Sequence, residues 1–555
     1  MKKTLLVFAI VSIFVIAFFW ITEYFNFDDS SQSPAANGEP VSFKSDGEIE
    51  QLTTYDKQRI NEQRKIDQQL KETYQAGTFT LKNPFVTPDP YEVAPLTALM
   101  MFKTDQPAKI IVTVEGNDQY GDISHTYEKY SKEHTIPILG LYPDSENTVT
   151  IEATTKGGET TEQPVTITTE PLPDDFLTNE VVEARPEKME NGLTFVIPST
   201  RYAYAVDYNG DVRWYSTLWN SHVFQRLDNG NLLYLTKEKG QKQYNELLEM
   251  DMLGKVYDSY IVNLEDYPDT NVIHHDAIEL PSGNILATVH DMEAPYIEDE
   301  MIEIDRETGK TLRDFNYRDI FPEDFYQEYD GPGEDDGDWF HQNAIWYDNR
   351  DDTILVSSRH QDLVMKQTYP EGEIKWILAA QEKWPDSYER YLLEPIEEDF
   401  KFPGGPHSIM TMPDMDNNKN TYDYLLFDNN VVITRGDDPL SEDFSRMVQY
   451  RVNPEKMTVK EVWSYGEERG EAMFSSIVGD ANYHKDTGNR MLTSGYIKVD
   501  DGRNSRIIET TGEQQAEVVY ELVVSGFKSD SHRQAYRAFR LPLHPEKEWN
   551  FKLIE

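Results

Sequence analysis

One tight turn returns six times in the last two-thirds of the chain, and this recurrence constrains the fold more than any other feature. Asp207 to Gly210, followed by Val212 and Trp214, is the clearest copy. Asp251 to Gly254 with Val256, Asp305 to Gly309 with Leu312, and Pro370 to Gly372 with Ile374 and Trp376 repeat it. Asn453 to Met457 with Val462 and Trp463, and Thr511-Gly512 with Val518 to Tyr520, complete the series. A second hairpin signal lies between them: Asn229-Gly230-Asn231, Ser282-Gly283-Asn284 and Thr487-Gly488-Asn489, each leading into apolar residues. Two hairpins per unit of about sixty residues describe a four-stranded antiparallel sheet, the blade of a propeller. Two stacked sandwiches would not return one turn type so often. The expected fold class is all-β, with residues 174–555 forming a six-bladed β-propeller that carries any catalytic site.

What precedes the repeats reads as three further segments. In residues 1–25, Lys2 and Lys3 stand before an apolar run from Leu5 to Ile21 that only Ser12 interrupts. Seventeen helical residues cover roughly 25 Å, the short end of what crosses a bilayer. Bulky Phe18 to Ile21 offer no small-x-small cleavage site, so the segment reads as a membrane-anchor helix rather than a removed signal, with the body outside the cytoplasm. Residues 26–77 are a polar spacer and then an amphipathic helix, Glu48 to Gln75, with Ile49, Leu52, Ile66, Leu70 and Tyr74 at helical intervals before Gly77. Residues 78–173 carry short β-branched runs, Ile110 to Val114, Thr148 to Ile151 and Val165 to Thr168, and read as a small β-sandwich like a fibronectin III domain, with Asn147 where the corner tyrosine would stand.

Charge and cysteine content remove whole classes of function. One hundred acidic against 52 basic side chains give a net charge of −48, which repels a phosphate backbone and excludes general nucleic-acid binding. The absence of cysteine excludes disulfides, thiolate metal sites and cysteine nucleophiles. The acidic runs Glu334 to Asp338 and Asp414 to Asn418 read as surface loops; the second lacks the glycine and terminal glutamate of a calcium loop.

Three blades carry related segments before their outer hairpins: His274-His275-Asp276-Ala277-Ile278, His341-Gln342-Asn343-Ala344-Ile345 and Gly405-Pro406-His407-Ser408-Ile409. Aligned on Ala277, Ala344 and Ser408, they place His274 level with His341, and Asp276 and Asn343 level with His407. Positions two apart on a strand share a face, so these five side chains are expected to point at one axis, with His275 and Gln342 pointing away. Arg359 closes the apolar strand Thr353 to Ser358 and is a fair ligand for an anion.

Several of these segments resemble those of the bacterial aryl-sulfate sulfotransferases. The resemblance rests on Asp338 to Asn343, Val356 to Arg359, Gly405 to His407, Ser445 to Arg451, and Thr458 to Gly470. It implies a six-bladed propeller behind a small β-sandwich, in an exported enzyme that moves a sulfuryl group between phenols without a nucleotide donor. It also implies that His407 is the nucleophile, becoming transiently sulfated, with His274, His341, Asn343 and Arg359 around the sulfuryl group. His275 and Asp276 adjoin that set as candidate substrate ligands. The family's threonine pair in the fifth blade has no counterpart around Ser475 to Gly479, and the disulfide of some relatives is absent.

The residue types suit that chemistry. Sulfuryl transfer, like phosphoryl transfer, is a loose in-line displacement that needs positioning and cationic donors. A neutral imidazole attacks readily, and a cation beside it keeps it neutral. The expected partners are an aryl sulfate donor, a phenolic acceptor and the membrane, with a homodimer allowed for, and no cofactor or metal is called for. Two other readings stand beside it: a metal-dependent propeller hydrolase such as a lactonase, with Asp276, Asn343 and the histidines as ligands, and a binding propeller with no catalysis.

Overall fold

The computed structural model describes residues 41–43, 49, 51–263, 272–290, 296–329, 337–434, 438–500, 502–528, 533–545 and 551–553. The apolar N-terminal run and most of the 334–338 acidic run lie outside them. Among the described residues no helix is long and apolar enough to cross a membrane.

Six antiparallel sheets of four strands follow one another along the chain. Sheet 1 holds Leu193–Pro198, Arg201–Val206 and Val212–Asn220; sheet 2 runs from Phe224–Arg226 to Val256–Val262 and sheet 3 from Ile273–Glu279 to Thr311–Asn316. Sheet 4 spans Gln342–Asp348 to Ile374–Leu378, sheet 5 His407–Thr411 to Thr458–Tyr465, and sheet 6 Asp480–Tyr483 to Val518–Phe527. Sheet 1 takes its fourth strand, Ala535–Leu541, from the end of the chain, and Thr178–Ala184 adds to the far edge of sheet 6. The first strands of sheets 3 to 6 pack in succession, the last of them on Ala535–Leu541.

The six repeated turns join the third and fourth strands of each four-stranded unit, counted from its first strand, or from Ala535–Leu541 in sheet 1. Glycine is required where the turn passes through left-handed backbone, as at Gly210 (φ +87°) and Gly254 (φ +82°). Where an aspartate opens the turn it also closes it: Asp251 Oδ1 accepts from the amides of Leu253 and Lys255. The tryptophan after the turn explains why the motif recurs. Trp214 Nε1 donates to the Met252 carbonyl, 2.8 Å away in the turn of sheet 2, and Trp463 Nε1 to Glu513 in the turn of sheet 6. Each of these indoles buries its rings between sheets and ties one turn to the next.

Residues 85–168 form one bent five-stranded sheet around the long strand Thr97–Val114, which pairs with Ile123–Leu139 and Glu146–Thr155. Asn147 does the work of a corner tyrosine. It is buried, its Oδ1 accepts from the Tyr142 amide at 2.7 Å, and its Nδ2 donates to the Tyr142 carbonyl at 3.0 Å. The Arg213 guanidinium lies 3.8 Å from the Tyr142 ring centre and bonds the Gly121 and Gly140 carbonyls, locking this sheet to sheet 1.

The N-terminal helix is shorter than its periodicity suggests. Thr53–Tyr55 is a fifth strand on the outer edge of sheet 2, and the helix is Gln58–Ala76. Leu52 consequently joins the core of sheets 2 and 3 while Ile49 is exposed. The open strand edge competes for the backbone there and wins. On the helix, fully buried Asp67 pairs with fully buried Lys255 at 2.8 Å and accepts from the Tyr91 hydroxyl. Breaking a buried pair strands the other charge, so Asp67→Ala is expected to lose about 3–5 kcal/mol in denaturant unfolding. The 414–418 loop is closed on itself: Asp416 is taken by the Thr421 hydroxyl and by Arg451 at 2.9 Å.

Candidate active site

The strands that carry the three histidine segments do not alternate regularly. Pairing of the first strand with the second breaks between Ile273 and Ala277 in sheet 3, between Gln342 and Ala344 in sheet 4, and between His407 and Ile409 in sheet 5. The same break recurs between Ala535 and Arg537 on the chain's last strand. The irregularity inserts one residue in sheets 4 and 5 and on the last strand, and two in sheet 3, and each one-residue bulge turns the following side chains to the other face. Two-residue alternation therefore fails at the positions where it was applied.

The first consequence concerns His274 and His275. The His275 ring lies 4.8 Å from that of His341, 5.3 Å from His222 and 5.7 Å from Tyr536, and its pKa responds to His407. His274 turns away: its Nε2 is 3.1 Å from the Val289 carbonyl and its ring packs on His290. His275, not His274, faces the cluster. His274 supports it through a 3.0 Å Nδ1–Nδ1 hydrogen bond, in which His275 donates because Nε2 of His274 already carries a proton to Val289.

The second concerns Asp276 and Asn343. Asp276 pairs with Arg537 at 3.0 Å and accepts from the Ile345 amide, and with Arg537, Ser408 and Asp480 it lines a 240 Å³ cavity to which none of the clustered histidines contributes. Asn343 is fully buried. Its Nδ2 donates to the Pro406 carbonyl at 2.8 Å and its Oδ1 accepts from Ser357. Neither belongs among groups that touch a substrate at the cluster; Asn343 positions the peptide next to His407. A metal-dependent hydrolase loses these two ligands as well.

His407 opens its strand, nearly inaccessible, after a loop whose Gly405 adopts φ +56° with a Cβ position only 3.1 Å from the Val431 carbonyl. Buried Asp362 builds that loop, accepting from the amides of Gly405, Ile433 and Thr434 and from the Thr434 hydroxyl. Burial, the Arg359 guanidinium and His341 hold the His407 pKa well below its usual value, so the ring is neutral.

His341 is the opposite case. Its Nδ1 lies 2.7 Å from Asp338 Oδ2 and 2.7 Å from Glu298 Oε2. Burial works against a charge there, yet the two carboxylates prevail and raise its pKa to about 10, and the same contact holds Asp338 below the usual carboxylate range. His341 is an imidazolium at neutral pH. Its backbone stands at φ +50°, a conformation that costs on the order of 1–3 kcal/mol and marks functional positions. The aromatic residues before it hold it there: Trp339 is buried with Nε1 on Asp299 at 2.7 Å, and Phe340 stacks on Tyr317.

Arg359 reaches the cluster from the end of its strand, its amide bonded to the His341 carbonyl and its Cγ 3.5 Å from the Cβ position of Gly405. One guanidinium nitrogen donates to His360 Nε2 at 2.6 Å, and His360 Nδ1 in turn donates to the Asp338 carbonyl. Burial drives the His360 pKa to about 3, keeping it a neutral acceptor. Among the described residues the buried Arg359 Nε has no hydrogen-bond partner, a donor left over for an anion. Among the same residues two groupings have donor atoms close enough for a metal, His274/His275/Glu298 and Asp338/His341/His360. In the second, both His360 nitrogens are engaged, one by a guanidinium. Dialysis against a chelator is expected to leave turnover unchanged; a loss restored by added metal would revive the hydrolase.

His407, His341 and Arg359 were thus legible as single residues. Asp338, three residues before His341, carried no mark of its role in charging that ring. Glu298, His360, Asp362, Asn429 and Tyr536 carried no local signal, because each acts through a partner remote in sequence or adjacent to a better-marked residue.

A buried neutral imidazole that feels a neighbouring imidazolium and guanidinium is the kind of site that suits an anionic group. The lineage is also clear: residues 178–537 match the arylsulfotransferase (ASST) family and residues 85–170 its Ig-like domain, so this chain belongs to the arylsulfotransferase family. Arylsulfate sulfotransferase AssT of Lelliottia amnigena is 25% identical over 83% of this chain and 92% of its own length. The protein of the same description from Escherichia coli O6:H1 is 24% identical over 78% of this chain and 89% of its own. Among solved structures, a periplasmic gluconolactonase of Pseudomonas aeruginosa covers 78% of this chain and all of its own at 12% identity, with a TM-score of 0.31, too low to carry an argument.

Proposed function

We propose that this protein is an aryl-sulfate sulfotransferase that works by a ping-pong mechanism through a sulfohistidine on His407. The observation that carries the reading is the charge pattern of the cluster: His407 neutral, with His341 cationic and Arg359 beside it. The donor's sulfate would sit between Arg359 and His341, which also attract the charge that spreads over its oxygens in transit. Nε2 of His407 attacks sulfur, the S–O(aryl) bond breaks, and its electron pair leaves on the phenol oxygen. His341 hands that oxygen a proton as it departs and takes one back from the acceptor phenol as the latter attacks. A phenol titrates at about 10, and proton transfer between groups of matched pKa is nearly thermoneutral. No nucleotide carrier is needed, because the phenolate is already a good leaving group.

The same reading takes the six sheets as blades of a six-bladed propeller, with the histidines at one mouth of its channel and Tyr536 as the floor. It places the enzyme outside the cytoplasm, tethered through Leu5 to Ile21, on the strength of the two lysines before that run. Incubation with an aryl sulfate and no acceptor is expected to leave acid-labile sulfate on a single peptide containing His407. Turnover with no labelled protein, or with label on another residue, overturns the mechanism.

A further inference from the structure

We propose that Asn429 is a positioning residue that keeps the Nδ1 proton on His407 through both half-reactions, so that the sulfohistidine stays in its reactive, cationic form. The inference rests on His407 being the nucleophile and adds what its buried neighbour does.

Asn429 is fully buried. Its Nδ2 donates to the Ser475 carbonyl at 2.7 Å and to the Val478 carbonyl at 3.1 Å. A flipped carboxamide would aim its oxygen at two carbonyl oxygens, so its orientation is dictated. Oδ1 therefore faces His407 Nδ1, at 2.7 Å, and the Gly405 carbonyl lies 3.1 Å from the same nitrogen. Both are acceptors only, which assigns the proton to Nδ1 and the lone pair to Nε2. The carbonyls that orient Asn429 are held too: the Ser445 hydroxyl donates to the Ser475 carbonyl and accepts from its amide, and the Ser475 hydroxyl donates to Val478.

The choice of an amide matters for the second step. After attack, the ring carries the sulfuryl group on Nε2 and its proton on Nδ1, and is an imidazolium. When the acceptor oxygen attacks sulfur, the S–N bond breaks and its pair returns to Nε2 of a neutral imidazole, a good leaving group. Were the Nδ1 proton lost, the same step would have to expel an imidazolide anion. A carboxylate, which partners the histidine in serine hydrolases, can take that proton once the ring is sulfated; a carboxamide cannot. In a chain with 100 acidic side chains, and directly after Asp428, this position holds a neutral acceptor.

Two measurements on the full-length protein test this. In the resting enzyme labelled with 15N-histidine, with His407→Gln assigning the signal, Nδ1 of His407 is expected to be protonated and Nε2 bare; a proton on Nε2 overturns the proposal, whatever the fate of the mechanism. In Asn429→Asp, rapid mixing with donor and acceptor is expected to show a stoichiometric burst of the first phenol. Turnover should then be about 10–100-fold slower while sulfo-enzyme accumulates, and the acid limb of the kcat/KM profile should move to higher pH. Wild-type turnover in Asn429→Asp, without a burst, also overturns it. If that variant does not fold, the nitrogen signals decide alone. If the wild type never labels His407 and the tautomer is still as described, it is the mechanism that has failed and not the assignment.

Discussion

His407→Ala is expected to abolish transfer between phenols, with kcat down about 10⁴-fold or more, as when the nucleophile of a covalent mechanism is removed. The cause is specific to the ring. Alanine removes the neutral nitrogen that attacks sulfur while leaving Arg359 and the His341 imidazolium to bind the donor. Donor affinity is therefore expected to change far less than turnover, and added imidazole to restore a measurable fraction. Steady-state kinetics with a chromogenic phenyl sulfate read both. Full turnover in the alanine variant would end the covalent reading, whereas an equal loss of binding and rate would mean that the ring only holds the site together.

The second large effect is on pH. His341 owes its proton to Asp338 and Glu298, and its raised pKa predicts a rate that is level through neutral pH and falls as pH approaches about 10. The acid limb lies far lower, since His407 stays neutral to well below 6.5. Asp338→Asn removes one of the two carboxylates, and loss of a neighbouring opposite charge shifts a pKa by about 1–3 units. The alkaline limb is expected to move down by that much, with kcat at pH 8 lower by up to about 10-fold. An unmoved alkaline limb in Asp338→Asn would show that His341 does not supply the proton. Stability follows the same groups. The folded-state pKa of His341 lies above its unfolded value, so its contribution is complete below about pH 6.5 and fades as pH rises through about 10. The depressed pKa of Asp338 works in the other direction, with stability lost only as pH falls below the ordinary carboxylate range.

The sheets were legible because the turns carry their own chemistry: an aspartate that caps three of them, a glycine where the backbone is left-handed as at Gly210 and Gly254, and in two of them a tryptophan that reaches the next turn. His407, His341 and Arg359 were legible for a similar reason, each standing in a run distinctive enough to read alone. The N-terminal helix was overextended because helical spacing persists through Thr53–Tyr55, which an open strand edge captures. Choosing His274 over His275, and aiming Asp276 at the same axis, followed from assuming strict alternation on strands that bulge at those residues, whereas Asn343 was placed around the sulfuryl group by the family resemblance as well.

By itself the sequence determined the recurring turns and the marked runs that carry His407, His341 and Arg359, since these depend on residues within a few positions of one another. Tertiary structure decided which histidine faces the cluster, which one is charged and which nitrogen carries a proton. Those properties are set by groups that arrive from other sheets: Glu298 and Asp338 on His341, and Asn429, oriented from Ser475 and Val478, on His407. A protonation state is a difference in energy between two environments, and the environment exists only once the sheets have come together.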